Sequence, residues 1–424
     1  MQKFHWVFII IIVLISGCNR EPASVPPTAV PTSPAAPSNT PAPAEPTAAA
    51  SPSATPPAAD SGSAADSAVD TAPPPPLMLA WQVKAGGAIN QSPLVVEDIV
   101  IVIAHNENVI RALSLTTGEA LWQVDSPERV WDRAFASNGR VLFVGVDGGK
   151  LLALNIANGA LAWQAELGIN IQIPPLVVDD SLFIATTFVG PGLEATPQGK
   201  AAVFSLNPND GHVLWEFESE NYILQTPTYY DGTLYVAGSY RSEEDVEEGG
   251  PMRIYALDAS SGDLQWAYES FDGFPKQLYA TDTAVAYIAY QDFVSGVDAK
   301  TGQPLWRRDT GNWVPTLFGH DEIIYFGSAN TMVHALNTND GKTVWQFNIP
   351  EGTFNYVIGA PRQVNQTLYF LTQQGDIFAL DALNGRFNWE YSTNIEARTG
   401  LTATDNWLII GDAEGIVYGY QISG

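Results

Sequence analysis

From about residue 77 onward, apolar and polar residues alternate in short runs, and each pair of runs is joined by a turn containing glycine. The clearest copy is Tyr255–Trp266, Tyr-Ala-Leu-Asp-Ala-Ser-Ser-Gly-Asp-Leu-Gln-Trp. Its frame is a small residue, an aliphatic, an acid or amide, turn formers, Gly and finally Trp. The frame returns at Ala153–Trp163, Ser205–Trp215, Ala335–Trp345 and Ala379–Trp389. Gly296–Trp306 repeats it with Val297, and Ala112–Trp122 repeats it with Ser114 in the acidic slot. A period of two predicts strands. Val109–Leu115 runs into Thr116-Thr117-Gly118 and re-emerges as Ala120–Val124, so each copy predicts an antiparallel hairpin. Asp or Asn bonds its own backbone two residues on, and Gly supplies the positive φ that closes the turn. Asp258, Asp298, Asp381, Asn155, Asn207 and Asn337 therefore read as turn formers. Asn337-Thr-Asn-Asp-Gly341 superficially matches a calcium loop, but no Glu stands at the twelfth loop position and the stretch coincides with the repeat turn.

The frame tryptophans are Trp81, Trp122, Trp163, Trp215, Trp266, Trp306, Trp345 and Trp389. They recur roughly every 40 residues, enough chain for four short strands. Between frames the pattern predicts two further strands per unit, such as Pro93–Val96 with Ile99–Ile103, and Pro175–Val178 with Leu182–Ala185. Leu79–Val83 matches the strand that ends each repeat but lacks its hairpin, whereas Ile416–Gly424 stops before that strand. Joined, the two fragments complete an eighth unit. The predicted fold is all-β, an eight-bladed β-propeller closed by an N-terminal strand.

The frame residues resemble the tryptophan-docking repeat of the PQQ-type propellers, over essentially all of Leu79–Gly424. The resemblance implies that each frame Trp is structural, its indole packed in the seam between blades over small residues. Two functional groups share this fold: quinoprotein dehydrogenases that hold PQQ with calcium, and a non-catalytic group that includes BamB-type lipoproteins of outer-membrane β-barrel assembly. Catalytic members generally carry a vicinal Cys pair, long insertions and an Asp base beside calcium ligands. Cys18 is the only cysteine here, and little sequence lies beyond the blades, so the second group fits better. A single cysteine also excludes an internal disulfide.

Lys3 begins a short charged leader, Trp6–Ile15 is an apolar run, and Ile15-Ser-Gly-Cys18 resembles a lipobox. That resemblance implies a signal peptide over 1–17, lipidation of Cys18 and an extracytoplasmic, membrane-anchored protein. From Asn19 to Pro76 the chain is Pro, Ala, Ser and Thr with almost no large apolar side chains. Such a segment cannot bury enough surface to fold, so 18–76 reads as a disordered spacer before a propeller domain at 77–424. Net charge is −27, and residues 1–76 contribute little of it. That balance argues against nucleic acid, whose phosphates need clustered Lys and Arg.

Two sets of residues differ between blades. Gln91, Trp131, Arg133, Gln172, Gln225, Gln277, Trp313, Tyr356 and Arg398 lie on blade-to-blade connections, near the start of an innermost strand. They are candidates for binding at the channel mouth, with Arg133 and Arg398 prominent because basic residues are scarce. Two insertions fall between second and third strands: Phe188–Lys200, and Ser239–Met252 with Glu243, Glu244, Asp245, Glu247 and Glu248. The acidic run reads as a solvated loop, a docking surface for a basic partner or a weak cation loop. His105, His212, His320 and His334 are not spaced as zinc ligands, and His212 and His334 are expected at the surface or an edge. The resulting expectation is a monomeric, non-enzymatic scaffold with a protein partner, bound to the bilayer only through Cys18 and without a cofactor. The alternatives are a PQQ-dependent oxidoreductase using calcium and a receptor for sugar or peptide.

Overall fold

The computed structural model describes residues 76–187, 201–219, 223–239, 252–271, 275–289, 293–350 and 356–422. All belong to one compact unit, Thr71–Gly424. The leader and spacer with Cys18, the insertion Phe188–Lys200 and the acidic residues Glu243, Glu244, Asp245, Glu247 and Glu248 lie outside the described residues.

The described strands form eight antiparallel sheets, the blades of a propeller. Each is built from inside to outside in chain order, as in blade 1: Leu94–Val96, Ile99–Ile103, Val109–Ser114 and Ala120–Asp125. In blade 4 the innermost strand is broken, because Ile223–Leu224 and Thr228–Tyr230 both pair with Thr233–Ser239. Blade 8 is composite: Thr402–Ala403, Trp407–Gly411 and Ile416–Ile422 are completed on the outside by Leu77–Lys84. Leu77 pairs with Ile422 and Lys84 with Ile416, which joins the two ends of the folded chain.

The core lies in the seams between blades. Ile101, Ile103 and Ala112 of blade 1 pack with Phe135, Leu142 and Val144 of blade 2 in one buried cluster. Middle strands are covered on both faces by neighbouring blades, so Ala284–Ile288 is buried at every position. Outermost strands keep the alternating pattern, as in Leu161–Glu166. His334 departs from the expected edge position for this reason. It sits inside the third strand of blade 6, Met332–Asn337, and is only 5% exposed. Its ring stacks on Phe326, bonds Ser328 Oγ through Nε2 at 3.0 Å and accepts from Gln346 Nε2 at Nδ1, 3.1 Å away.

The frame tryptophans bind blade to blade. Each of Trp81, Trp122, Trp163, Trp215, Trp266, Trp306 and Trp345 donates its indole N–H to a carbonyl in the hairpin of the next blade, at 2.7 to 3.0 Å. The small residue of the frame is the cross-strand partner of the Trp in its own blade, as Ala112 is for Trp122 and Ala256 for Trp266. The turn glycine of the following blade receives the ring: a Cβ on Gly262 would lie 2.6 Å from Trp215 Cε3. Trp389 has no such acceptor among the described residues; the last two strands of blade 8, Ile416–Ile422 and Leu77–Lys84, come from distant parts of the chain and are not joined by a frame hairpin. The frame acids act in their own turns. Asp258 Oδ1 accepts from the amides of Ser260 and Ser261 at 2.9 and 3.1 Å, which together with the Ser260 hydroxyl lowers its pKa. Asn337 Oδ1 accepts from the amides of Asn339 and Asp340 at 2.9 and 3.3 Å, the geometry of a turn.

Candidate interaction face at the channel mouth

One face carries both the loops between second and third strands and the connections that enter each blade. Backbone bonds stitch the two together. His105 N–H donates to Ala88 at 2.8 Å, Asp147 to Arg129 at 2.9 Å, Ala329 to Trp313 at 2.9 Å and Gln373 to Tyr356 at 3.0 Å. Trp313 and Tyr356, and the connections that carry Gln91 and Trp131, are thus tied to the neighbouring loops.

At the junction of blades 1 and 2 the innermost strand Val130–Ser137 shifts register between Val130 and Phe135. The bulge re-aims the side chains between those residues. Asp132 Oδ2 lies 2.8 Å from His105 Nδ1 and 3.2 Å from Asn90 Nδ2. Asp132 is largely covered, at 13% side-chain exposure, whereas His105 is 41% exposed. The carboxylate therefore fixes the imidazole through Nδ1 and leaves Nε2 directed away from the pair. Beside it the Arg129 guanidinium stacks on Trp131 at 4.3 Å, and the Trp131 indole N–H is buried without a hydrogen-bond partner.

Blade 6 stands opposite blade 2 in a ring of eight. On its incoming connection, Trp313 is 38% exposed and carries the Lys276 ammonium 4.4 Å from its ring centroid. Lys276 also donates to the Val314 carbonyl at 3.2 Å, and burial pushes its pKa down to about 8. Two cation–aromatic pairs thus occupy opposite sides of the rim. Trp313 offers an exposed flat apolar surface with a positive charge attached, a combination suited to aromatic or acidic groups of a partner, whereas Trp131 packs against the buried cluster of blades 2 and 3 beneath Arg129.

The other predicted residues divide. Gln277 directs its carboxamide oxygen into the wall, accepting from Thr316 Oγ1 at 2.5 Å and from Leu317 N–H at 3.1 Å, so it clamps blade 5 to blade 6. Gln91, Gln172, Gln225 and Tyr356 are half-buried on their connections, while Arg133 and Arg398 are exposed. Sequence reasoning passed over Asn90, His105, Arg129, Asp132 and Lys276 as members of this face. Arg129 and Lys276 carried a usable signal, since both are scarce basic residues on the connections that supplied the candidate set.

The fold has relatives of both functional kinds. A crystal structure of BamB from Moraxella catarrhalis superposes with a TM-score of 0.57 at 19% identity, covering 81% of this chain and 97% of that one. The quinohemoprotein alcohol dehydrogenase of Comamonas testosteroni superposes with a TM-score of 0.60 at 14% identity, covering 82% of this chain and 77% of that one. At such identities both show the propeller and nothing finer. In sequence, the outer membrane protein assembly factor BamB of Yersinia pestis is 22% identical over 341 residues, 75% of this chain and 81% of its own length. The family model described as outer membrane protein assembly factor BamB matches residues 78–168, 106–189, 187–272 and 290–424, spanning well over half of the chain. By this match over nearly the whole ring of blades, the chain belongs to the BamB family of PQQ-repeat propellers.

Proposed function

We propose that this chain is a non-catalytic, extracytoplasmic propeller, tethered through a lipidated Cys18, that presents its loop face to a protein partner in the assembly of outer-membrane proteins. The family match over the blades carries the reading. The rim supports it: Trp313 is exposed beside Lys276 on a connection whose carbonyl is tied to the neighbouring loop, which suits an anchor for a partner. The residues fit PQQ with calcium poorly. The covered carboxylates of the rim are already engaged: Asp132 by His105 and Asn90, Glu107 by Arg111 and the Gly87 amide, and Asp412 by Tyr418 and the Ile416 amide. Among the described residues no three acidic, His or Cys side chains converge as a cation site.

The test is made in the native host. Loss of the chain should lower the amount of folded outer-membrane β-barrel, read by heat-modifiable gel mobility. A chain carrying Trp313→Ala, at an exposed position, should reproduce that loss at unchanged protein level. Normal barrel levels without the chain would sink the reading. Saturable one-to-one binding of PQQ in calcium, measured by calorimetry, would replace it with the oxidoreductase.

A further inference from the structure

Arg362 stands on the innermost strand of blade 7, Val357–Val364, just after a register shift between Ile358 and Arg362. Only the pairs Gln363–Leu368 and Val364–Thr367 separate it from the turn, so it lies toward the channel end opposite the loop-face rim. Its Nη1 donates to two carbonyls of the bulge, Pro361 at 3.1 Å and Ala360 at 3.5 Å. The guanidinium carbon is 5.7 Å from the ring centroid of Phe318, on the innermost strand Leu317–His320 of blade 6. A side chain that reaches from one innermost strand to the next runs along the channel wall. Phe318 itself turns to the seam with blade 7, where it stacks on the buried Tyr325 at 6.3 Å, while neighbouring Gly319 turns the other way, against Tyr279 of blade 5.

Among the described residues no carboxylate pairs with Arg362. It is partly buried, and the loss of water around it lowers its pKa. A guanidinium keeps its charge in proteins and has five N–H donors, and both carbonyl contacts use Nη1. Nε and Nη2 remain for a planar, two-point contact of the kind carboxylates and phosphates accept.

We propose that Arg362 forms an oxyanion subsite on the channel side of blades 6 and 7, taking a carboxylate or phosphate group beside Phe318. This goes beyond the loop-face reading, because the subsite lies at the other end of the channel. The full chain would be titrated at low ionic strength with citrate and, separately, with inorganic phosphate, reading calorimetry and thermal shift. Wild-type protein should bind at least one of them saturably, tighter binding of citrate marking a carboxylate ligand and of phosphate a phosphoryl one. Arg362→Gln should weaken that binding at least tenfold, Arg362→Lys should weaken it by a smaller factor, and Arg386→Gln, in an exposed turn, should leave it unchanged. Without anion, Arg362→Gln should melt no lower than wild type, since it removes an uncompensated charge. No saturable binding of either anion, or equal binding by Arg362→Gln, would overturn the proposal. A lowered melting point of Arg362→Gln without any anion effect in wild type would overturn it too, by showing that the guanidinium only caps the bulge carbonyls.

Discussion

At the scale of single residues, His334 and the frame tryptophans carry more of the stability than their chemistry suggests. His334 is held neutral by desolvation, with its pKa lowered from 6.5 to about 4. Nδ1 accepts from Gln346, so a proton added there would face the amide N–H that now donates to it. A depressed folded-state pKa means that the unfolded chain binds the proton first. The contribution is complete above pH 6.5, declines as pH falls and is lost below about 4. A shift of that size corresponds to about 3 kcal/mol. Unfolding free energy measured from pH 7 to pH 4 should fall by that order, and His334→Gln should flatten the dependence. A slope unchanged by the substitution would refute the assignment. Among the tryptophans, Trp266→Ala should cost roughly 3–5 kcal/mol, since it leaves a cavity in a seam and removes one of the two donors to the Ala299 carbonyl, the Tyr235 hydroxyl being the other. Trp389→Ala should cost less, because no indole bond to the next blade is lost among the described residues; denaturant unfolding of both variants decides it.

At the scale of elements, the hairpin turn serves its neighbour as much as itself. The turn glycines Gly118, Gly159, Gly211, Gly262, Gly302, Gly341 and Gly385 have φ between 66° and 77°, which alone favours glycine. Each also receives the indole of the preceding blade, with no room for a Cβ. Gly232, at φ 80°, has nothing within 4 Å of an added Cβ. Gly232→Ala should therefore cost about 1 kcal/mol of backbone strain, and Gly262→Ala distinctly more, because Trp215 must move. Equal losses in melting temperature would show that the docked ring adds nothing. This also marks what could be read in the sequence. The hairpins were legible because each repeat holds its own alternation, turn acid and glycine within a dozen residues. The meeting of Asn90, His105 and Asp132 was not, because it depends on how far one blade's connection reaches over the next and on a bulge in Val130–Ser137. His334 was misplaced because a third strand is covered by blades on both faces, so alternation no longer separates inside from outside.

At the scale of the whole molecule, the ring is closed by pairing its two ends, and that closure positions the rim. Leu77–Lys84 supplies the outer strand of blade 8 and also Trp81, whose indole reaches the Leu115 carbonyl of blade 1. Replacing this strand with a Gly/Ser segment should lower stability by more than any single Trp truncation and expose Ile416–Ile422 to proteolysis. Closure places blades 2 and 6 opposite each other, so that the Arg129–Trp131 and Lys276–Trp313 pairs stand on opposite sides of one opening. The most direct test of the loop-face account is photo-crosslinking in the native host from residues replaced by a photoreactive phenylalanine. Position 313 on the rim would be compared with position 305, exposed on the outer strand Pro304–Asp309. The account predicts one discrete protein adduct from position 313, identified by mass spectrometry as a component of outer-membrane protein assembly, and no such adduct from position 305. Adducts to that component from position 305 alone would contradict it and move the interaction to the perimeter of the propeller.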